Sequence, residues 1–152
     1  MSTNNKKSIL MLRVYVVLMA CIHLIFVYMN HLRFQRAEVW QAKGSLTEQD
    51  FESIRQFGNI TKIVEYAFIV LFILIALYAL LSMSLSFQTL YVRYSVLLLL
   101  GIAILNVPIH FILSVSIGNL MLPLLLPALV TVLFVVYVIL RTHRNKKKAA
   151  IS

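Results

Sequence analysis

Three residues that oil disfavours stand within five positions of one another in an otherwise apolar stretch: Asn106, Pro108 and His110, in "LNVPIH". Asn106 and His110 are four apart, so a helix carries both on one face, and Ser114 extends the stripe. Pro108 between them removes a backbone hydrogen bond, bends the helix and frees a carbonyl close by. An imidazole titrates near neutral pH, so such a face suits the passage of a proton or small polar molecule. It equally suits hydrogen bonding between helices, and that plainer use is the commoner one. An earlier apolar stretch carries a matching set. His23 and Asn30, seven apart, share a face there, with His31 beside the second. His23, Asn106 and His110 are therefore the candidate polar site among the apolar segments. No acid lies deep in any of these segments, so there is no buried carboxylate to relay a proton or hold a cation.

Catalytic spacings are missing. The chain has no HExxH, no GxSxG and no Walker glycine loop. Its four histidines, His23, His31, His110 and His143, have no metal-ligand spacing. No catalytic residue, metal ligand or cofactor site is expected, and the expected class is not an enzyme. The single cysteine, Cys21, forms no intrachain disulfide. It resembles the modified residue of a lipobox in "LMAC", but the apolar run continues past it instead of opening into a polar tether.

The elements that must position the polar residues follow from composition. The chain is 61% hydrophobic and 12% charged, about half the charge of an average soluble domain. A helix crosses a hydrocarbon core of about 30 Å with roughly 20 residues. Four segments qualify, at about 9–29, 63–85, 94–117 and 120–140. Arg13 interrupts the first but lies near enough to its end to reach the headgroups. Backbone groups have no water partner in lipid, so these segments are helices. The fold class read here is an all-α membrane protein. It is a four-transmembrane-helix bundle in one domain, with a small extracytoplasmic helical cap between helices 1 and 2. Ala76, Ala79 and Gly101 are the few small residues suited to close helix contacts.

Charge orients the bundle. Four crossings leave both termini on one side. That side holds nine basic residues and no acid: Lys6, Lys7, Arg13, Arg93, Arg141, Arg144, Lys146, Lys147 and Lys148. The other side holds five of each sign, so the whole formal charge of +9 falls on one face. The positive-inside rule puts both termini and the turn at 82–93 in the cytoplasm, as in a bacterial cytoplasmic membrane. The tail at 141–152 is then expected to meet anionic headgroups. No aromatic is interleaved with its "RTHRNKKK", so it is not expected to bind nucleic acid.

The loop at 30–62 is the one sizeable part outside lipid. "NHLRFQRAEVWQAK" reads as an extension of the first helix, stopped at Gly44. In "SLTEQDFESIRQFG", Thr47 reads as an N-cap with Glu48 and Asp50 in the first turn, and Gly58 as the helix end. Phe51, Ile54 and Phe57 recur at helical spacing and either lie on the bilayer or pack on the first helix. His31, Trp40, Phe51, Ile54, Phe57 and Glu65 are the candidate outer-surface contacts. The stretch "FESIRQFGNITKIVEY" resembles the loop of the membrane-associated glutathione-transferase and eicosanoid family in its F-E-x-hydrophobic opening, Asn59 and Glu65-Tyr66. That resemblance implies a glutathione-binding membrane enzyme on a four-helix plan. Asn59 and Glu65 stand further apart than the family's Asn-x-x-Glu, and the family's basic pattern is missing.

Three functional classes follow in order. The first is a non-enzymatic accessory protein acting through membrane-protein partners or a second copy of itself. The second is a small transporter or channel component using His23, Asn106 and His110. The third is the glutathione-transferase-like enzyme.

Overall fold

The computed structural model describes residues 3–82 and 84–149, with side chains from 6 to 147. Among the described residues there is no strand. Helix α1 runs Thr3–Ala42, α2 Glu48–Leu81 and α3 Leu85–Leu113. A short α4, Ile117–Met121, passes through a 3-10 turn, Leu122–Leu124, into α5, Leu125–Ala149. Four helices are long and apolar enough to cross a membrane, counting the broken run Ile117–Lys147 as one. That is the build of an integral membrane protein. The end of the basic tail, 150–152, lies outside the described residues.

Lipid tails are as apolar as leucine, so shape and polar bonds must hold such helices together. The side chains sort accordingly. Leu10, Val14, Leu97, Ile104, Phe111 and Ile112 point outward, while Leu12, Tyr15, Met19, Phe68, Phe72, Leu98 and Phe134 fill the interior. On α3 the buried positions beyond Phe87 are Gln88, Tyr91, Ser95, Leu98, Ile102 and Asn106. Their spacing of three and four is one helical face. Aromatic rings stack across the centre. Tyr91 meets Phe134 edge-on at 4.9 Å between ring centres, and Tyr15 lies 6.2 Å from both Phe72 and Tyr91. Ala76 and Ala79 are buried as expected of small contact residues. Gly101 is not: it is exposed, and a side chain there would meet nothing.

The connections are tighter than the sequence suggests. Residues 82–93 read as a turn, yet α3 already begins at Leu85, because Ser84 caps it by accepting from the Phe87 amide. The second span likewise ends at Leu81 rather than 85. The third ends at Leu113 rather than 117, where Ser114 takes a left-handed conformation with φ 53°. A side chain is strained in that region, and His110 braces the turn: its Nδ1–H donates to the Val115 carbonyl at 2.7 Å. Asn119 lies inside α4. Ser116 takes the cap position, with no side-chain bond. Pro123 falls in the 3-10 turn and Pro127 in α5, and both are fully buried.

The hairpin between the first two spans differs most. Gly58 does not end a separate helix, because α2 continues through it without a break. A mid-helix glycine costs about 1 kcal/mol, too little to stop a helix held on both sides. The tip is the short link between Ala42 and Glu48. There Thr47 accepts from the Asp50 amide while the Asp50 carboxylate accepts from the Thr47 amide and hydroxyl, a closed capping box. Lys43 Nζ donates to Asp50 at 2.7 Å and ties the end of α1 to the start of α2.

Candidate functional site

Polar residues gather at three levels of the bundle. The middle level joins two of the three residues singled out in the sequence. His23 on α1 is 1% exposed and Asn106 on α3 is fully buried. The His23 Nε2–H donates to Asn106 Oδ1 at 2.8 Å, and Asn106 Nδ2 donates to the Leu120 carbonyl at 3.1 Å. Leu120 sits just before the helix gives way to the 3-10 turn. The amide therefore bridges three elements: α1, α3 and α4. His110 does not join it. One turn further along α3 it is half-buried and is committed to the Val115 carbonyl.

The chemistry of this arrangement is that of a clamp. A proton relay needs members that accept a proton on one side and release one on the other. Here the chain of bonds runs His23, Asn106, Leu120 carbonyl, and a backbone carbonyl releases no proton. Each such bond in a membrane protein is worth about 0.6 kcal/mol on average, with a maximum near 2. Leaving a partner stranded costs more, about 1–3 kcal/mol. Among the described residues, no group of three or more His, Cys, Asp or Glu is placed to hold a metal ion.

The level near the chain termini was not foreseen. Gln88 is fully buried. Its Nε2 donates toward the carbonyls of Ala79, Leu80 and Ser82 at 3.2, 3.3 and 2.9 Å. Its Oε1 accepts from Arg141 at 2.8 Å. One side chain thus satisfies the last carbonyls of α2, which helix geometry leaves unpaired, and fastens α2 and α3 to α5. The sequence signal was present. Gln88 and Asn106 are eighteen apart, five full turns, so both lie on the buried stripe of α3.

The third level is the hairpin itself, from the Asn30–Glu65 region at its base to the Ala42–Glu48 link at its tip. Trp40 is buried against the hairpin, Ile54 and Phe57 are half-buried, and Phe51 stands 60% exposed. The first two and Phe57 therefore sit within or beside the packed hairpin, and Phe51 points away from it. His31 is half-buried, and its Nδ1 is buried with no hydrogen-bond partner. Glu65, also half-buried, lines a cavity with Asn30. At the hairpin tip the Lys43 ammonium, then the Thr47 amide and hydroxyl, hold the Asp50 carboxyl down at about 2, against its usual 3.8. No family model, curated protein or solved structure matches this chain.

Proposed function

We propose that this is a non-enzymatic accessory membrane protein that acts through a protein partner, with the α1–α2 hairpin as its contact element. The observation that supports it most is the division of labour among the polar groups. The buried amides Asn106 and Gln88 are spent on holding helices together, while the hairpin carries apolar side chains where lipid does not call for them. Residues 30–42 of α1 and 48–62 of α2 extend past the apolar spans by about 20 Å each at 1.5 Å per residue. On them Val39 is 55% and Phe51 60% exposed. Large apolar groups held outside lipid on a rigid element suit recognition by another protein.

In this reading the hairpin is the extracytoplasmic cap, formed by two long helices, and both termini lie in the cytoplasm of a bacterial cell. The basic tail rests on anionic headgroups. The pathway reading has less support, because the His23–Asn106 chain of bonds ends on a carbonyl.

Two experiments test the proposal. In a chain carrying Cys21→Ala and Gly44→Cys, a membrane-impermeant maleimide added to intact cells is expected to label position 44. Failure to label it while a cysteine after Lys147 is labelled reverses the topology. Purification in mild detergent is expected to retain a stoichiometric partner that is lost on Val39→Lys with Phe51→Lys and kept on the lipid-facing control Ile104→Val. A partner-free chain, or a partner indifferent to the hairpin substitutions, overturns the proposal.

A further inference from the structure

At the base of the hairpin a partly enclosed cavity of about 350 Å³ opens between α1, α2 and α4. Its volume falls in the range of about 300–1,000 Å³ typical of small-molecule sites. Three chain segments reach the same level there. Asn30 follows directly on the first apolar span, Lys62 directly precedes the second, and Asn119 directly precedes the fourth. All three line the cavity, so it lies where apolar helix gives way to polar chain, at the depth of lipid headgroups.

The charges around it are arranged for a ligand with both signs. Arg33 from α1 and Lys62 from α2 line the cavity with Glu65. They form no ion pair with one another; among the described residues the only ion pair is Lys43–Asp50, at the far tip of the hairpin. Two cations and one carboxylate thus face one space without neutralising each other. Deeper in, Asn30 is 3% exposed, and its Nδ2 has no hydrogen-bond partner. Buried amides are almost always paired; this Nδ2 is closed off behind the cavity surface, and no hydrogen bond fixes the side chain that carries it, so a turn of that side chain presents the amide to a ligand acceptor. Phe26 and Phe34 supply apolar wall beside these groups.

We propose that this cavity binds a phosphate ester carrying a primary ammonium group, the chemistry of a phosphoethanolamine headgroup. Arg33 and Lys62 hold the phosphate, the guanidinium through paired N–H donors. The Asn30 side chain turns as the ligand seats and brings its amide to a phosphate oxygen. Glu65 accepts from the ammonium. A glycerol headgroup leaves Glu65 without a cation, and a choline headgroup offers it no N–H. The inference rests on the four membrane crossings and not on the partner reading.

The test uses the purified full chain in detergent, with binding of phosphatidylethanolamine, phosphatidylglycerol and phosphatidylcholine measured by native mass spectrometry. Phosphatidylethanolamine is expected to bind about tenfold more tightly than either of the others, the discrimination of one charge-assisted bond. Glu65→Gln is expected to abolish that preference while phosphate-dependent binding survives. Arg33→Gln with Lys62→Gln is expected to weaken all three lipids about tenfold or more. Should the double variant misfold, Asn119→Asp at an exposed position puts a carboxylate beside the phosphate and is expected to weaken binding too. Soluble phosphoethanolamine separates the sources. Competition at millimolar concentration supports the headgroup alone as ligand, and failure to compete while the lipid binds supports a ligand that includes the acyl chains. Equal binding of the three lipids overturns the proposal. So does an ethanolamine preference that survives both Glu65→Gln and the loss of the two cations.

Discussion

Asn106 and Asn30 are both buried amides, 0% and 3% exposed, and they lead opposite lives. Asn106 donates to the Leu120 carbonyl, accepts from His23 and ties three elements together. The Asn30 Nδ2 is buried with no partner, on a residue that lines a cavity with Arg33, Lys62 and Glu65. A polar residue in an apolar segment is costly unless it is paired. The paired amide is therefore architecture, and the unpaired one marks a place built to meet something else. Residue type does not separate them. What does is whether the neighbouring helix offers a carbonyl at the right height, as the broken start of the fourth span does for Asn106.

The comparison breaks most visibly at Asn106. Asn106→Leu removes two hydrogen bonds and strands the His23 Nε2–H and the Leu120 carbonyl. Destabilisation of about 2–3 kcal/mol is expected, read by reversible unfolding in mixed micelles. His23→Leu alone should cost less, and the double variant less than the sum by about 1 kcal/mol, since the two share one bond. Strict additivity would show that the 2.8 Å contact carries no energy. Gln88→Leu comes next, at about 1–2 kcal/mol. It abandons three carbonyls and Arg141, but this level lies close to the bundle end, where water can reach some of them. A loss as large as that at Asn106 would place Gln88 deeper in lipid than its position near the α2–α3 turn implies.

Asn30→Leu should behave oppositely. No partner is lost, and an unpaired amide leaves a buried place, so the lipid-free protein is expected to be unchanged or more stable by up to about 1 kcal/mol. The same substitution should weaken binding in the cavity. Destabilisation comparable to Asn106→Leu would mean that Asn30 is architecture after all, and the contrast between the two amides would vanish.

How much of this was legible in the sequence depends on distance along the chain. The four apolar helices follow from composition and length, because lipid permits little else for long uncharged runs. The His23–Asn106 pair was visible as two matched polar stripes. Its exclusion of His110 was not, since that depends on the left-handed turn at Ser114 presenting the Val115 carbonyl. Gln88 was readable by period alone, five turns from Asn106, yet its role needs the α2 carbonyls brought back by a three-residue link. Gly58 misled because a glycine's cost is local and small, while the helix around it is held by packing along its whole length. The cavity was out of reach: Arg33, Lys62 and Asn119 come from separate segments, and only assembly brings them to one level.

The smallest effect sharpens a different part of the contrast, the tip of the hairpin, where a carboxylate that is 12% exposed has its partners already. Asp50 is held at about 2, first by the Lys43 ammonium and then by the Thr47 amide and hydroxyl. Because its folded value lies below the usual 3.8, the contribution of this box to the turn is fully present above about pH 4. It is lost as the pH falls through about 2. Carbon-detected NMR of the Asp50 carboxyl is expected to give a midpoint near 2 in the native chain and one closer to 3.8 in Lys43→Met. Thr47→Ala should produce a smaller rise, because it removes the hydroxyl and leaves the amide. Bundle unfolding should be insensitive to all of this, since the Lys43–Asp50 pair lies in water beyond the spans, where an ion pair contributes little. A midpoint near 3.8 in the native chain would show that the tip is held by helix propensity and packing alone. The hairpin would then lose its one fixed corner, while the amides at Asn106 and Asn30 kept their contrast.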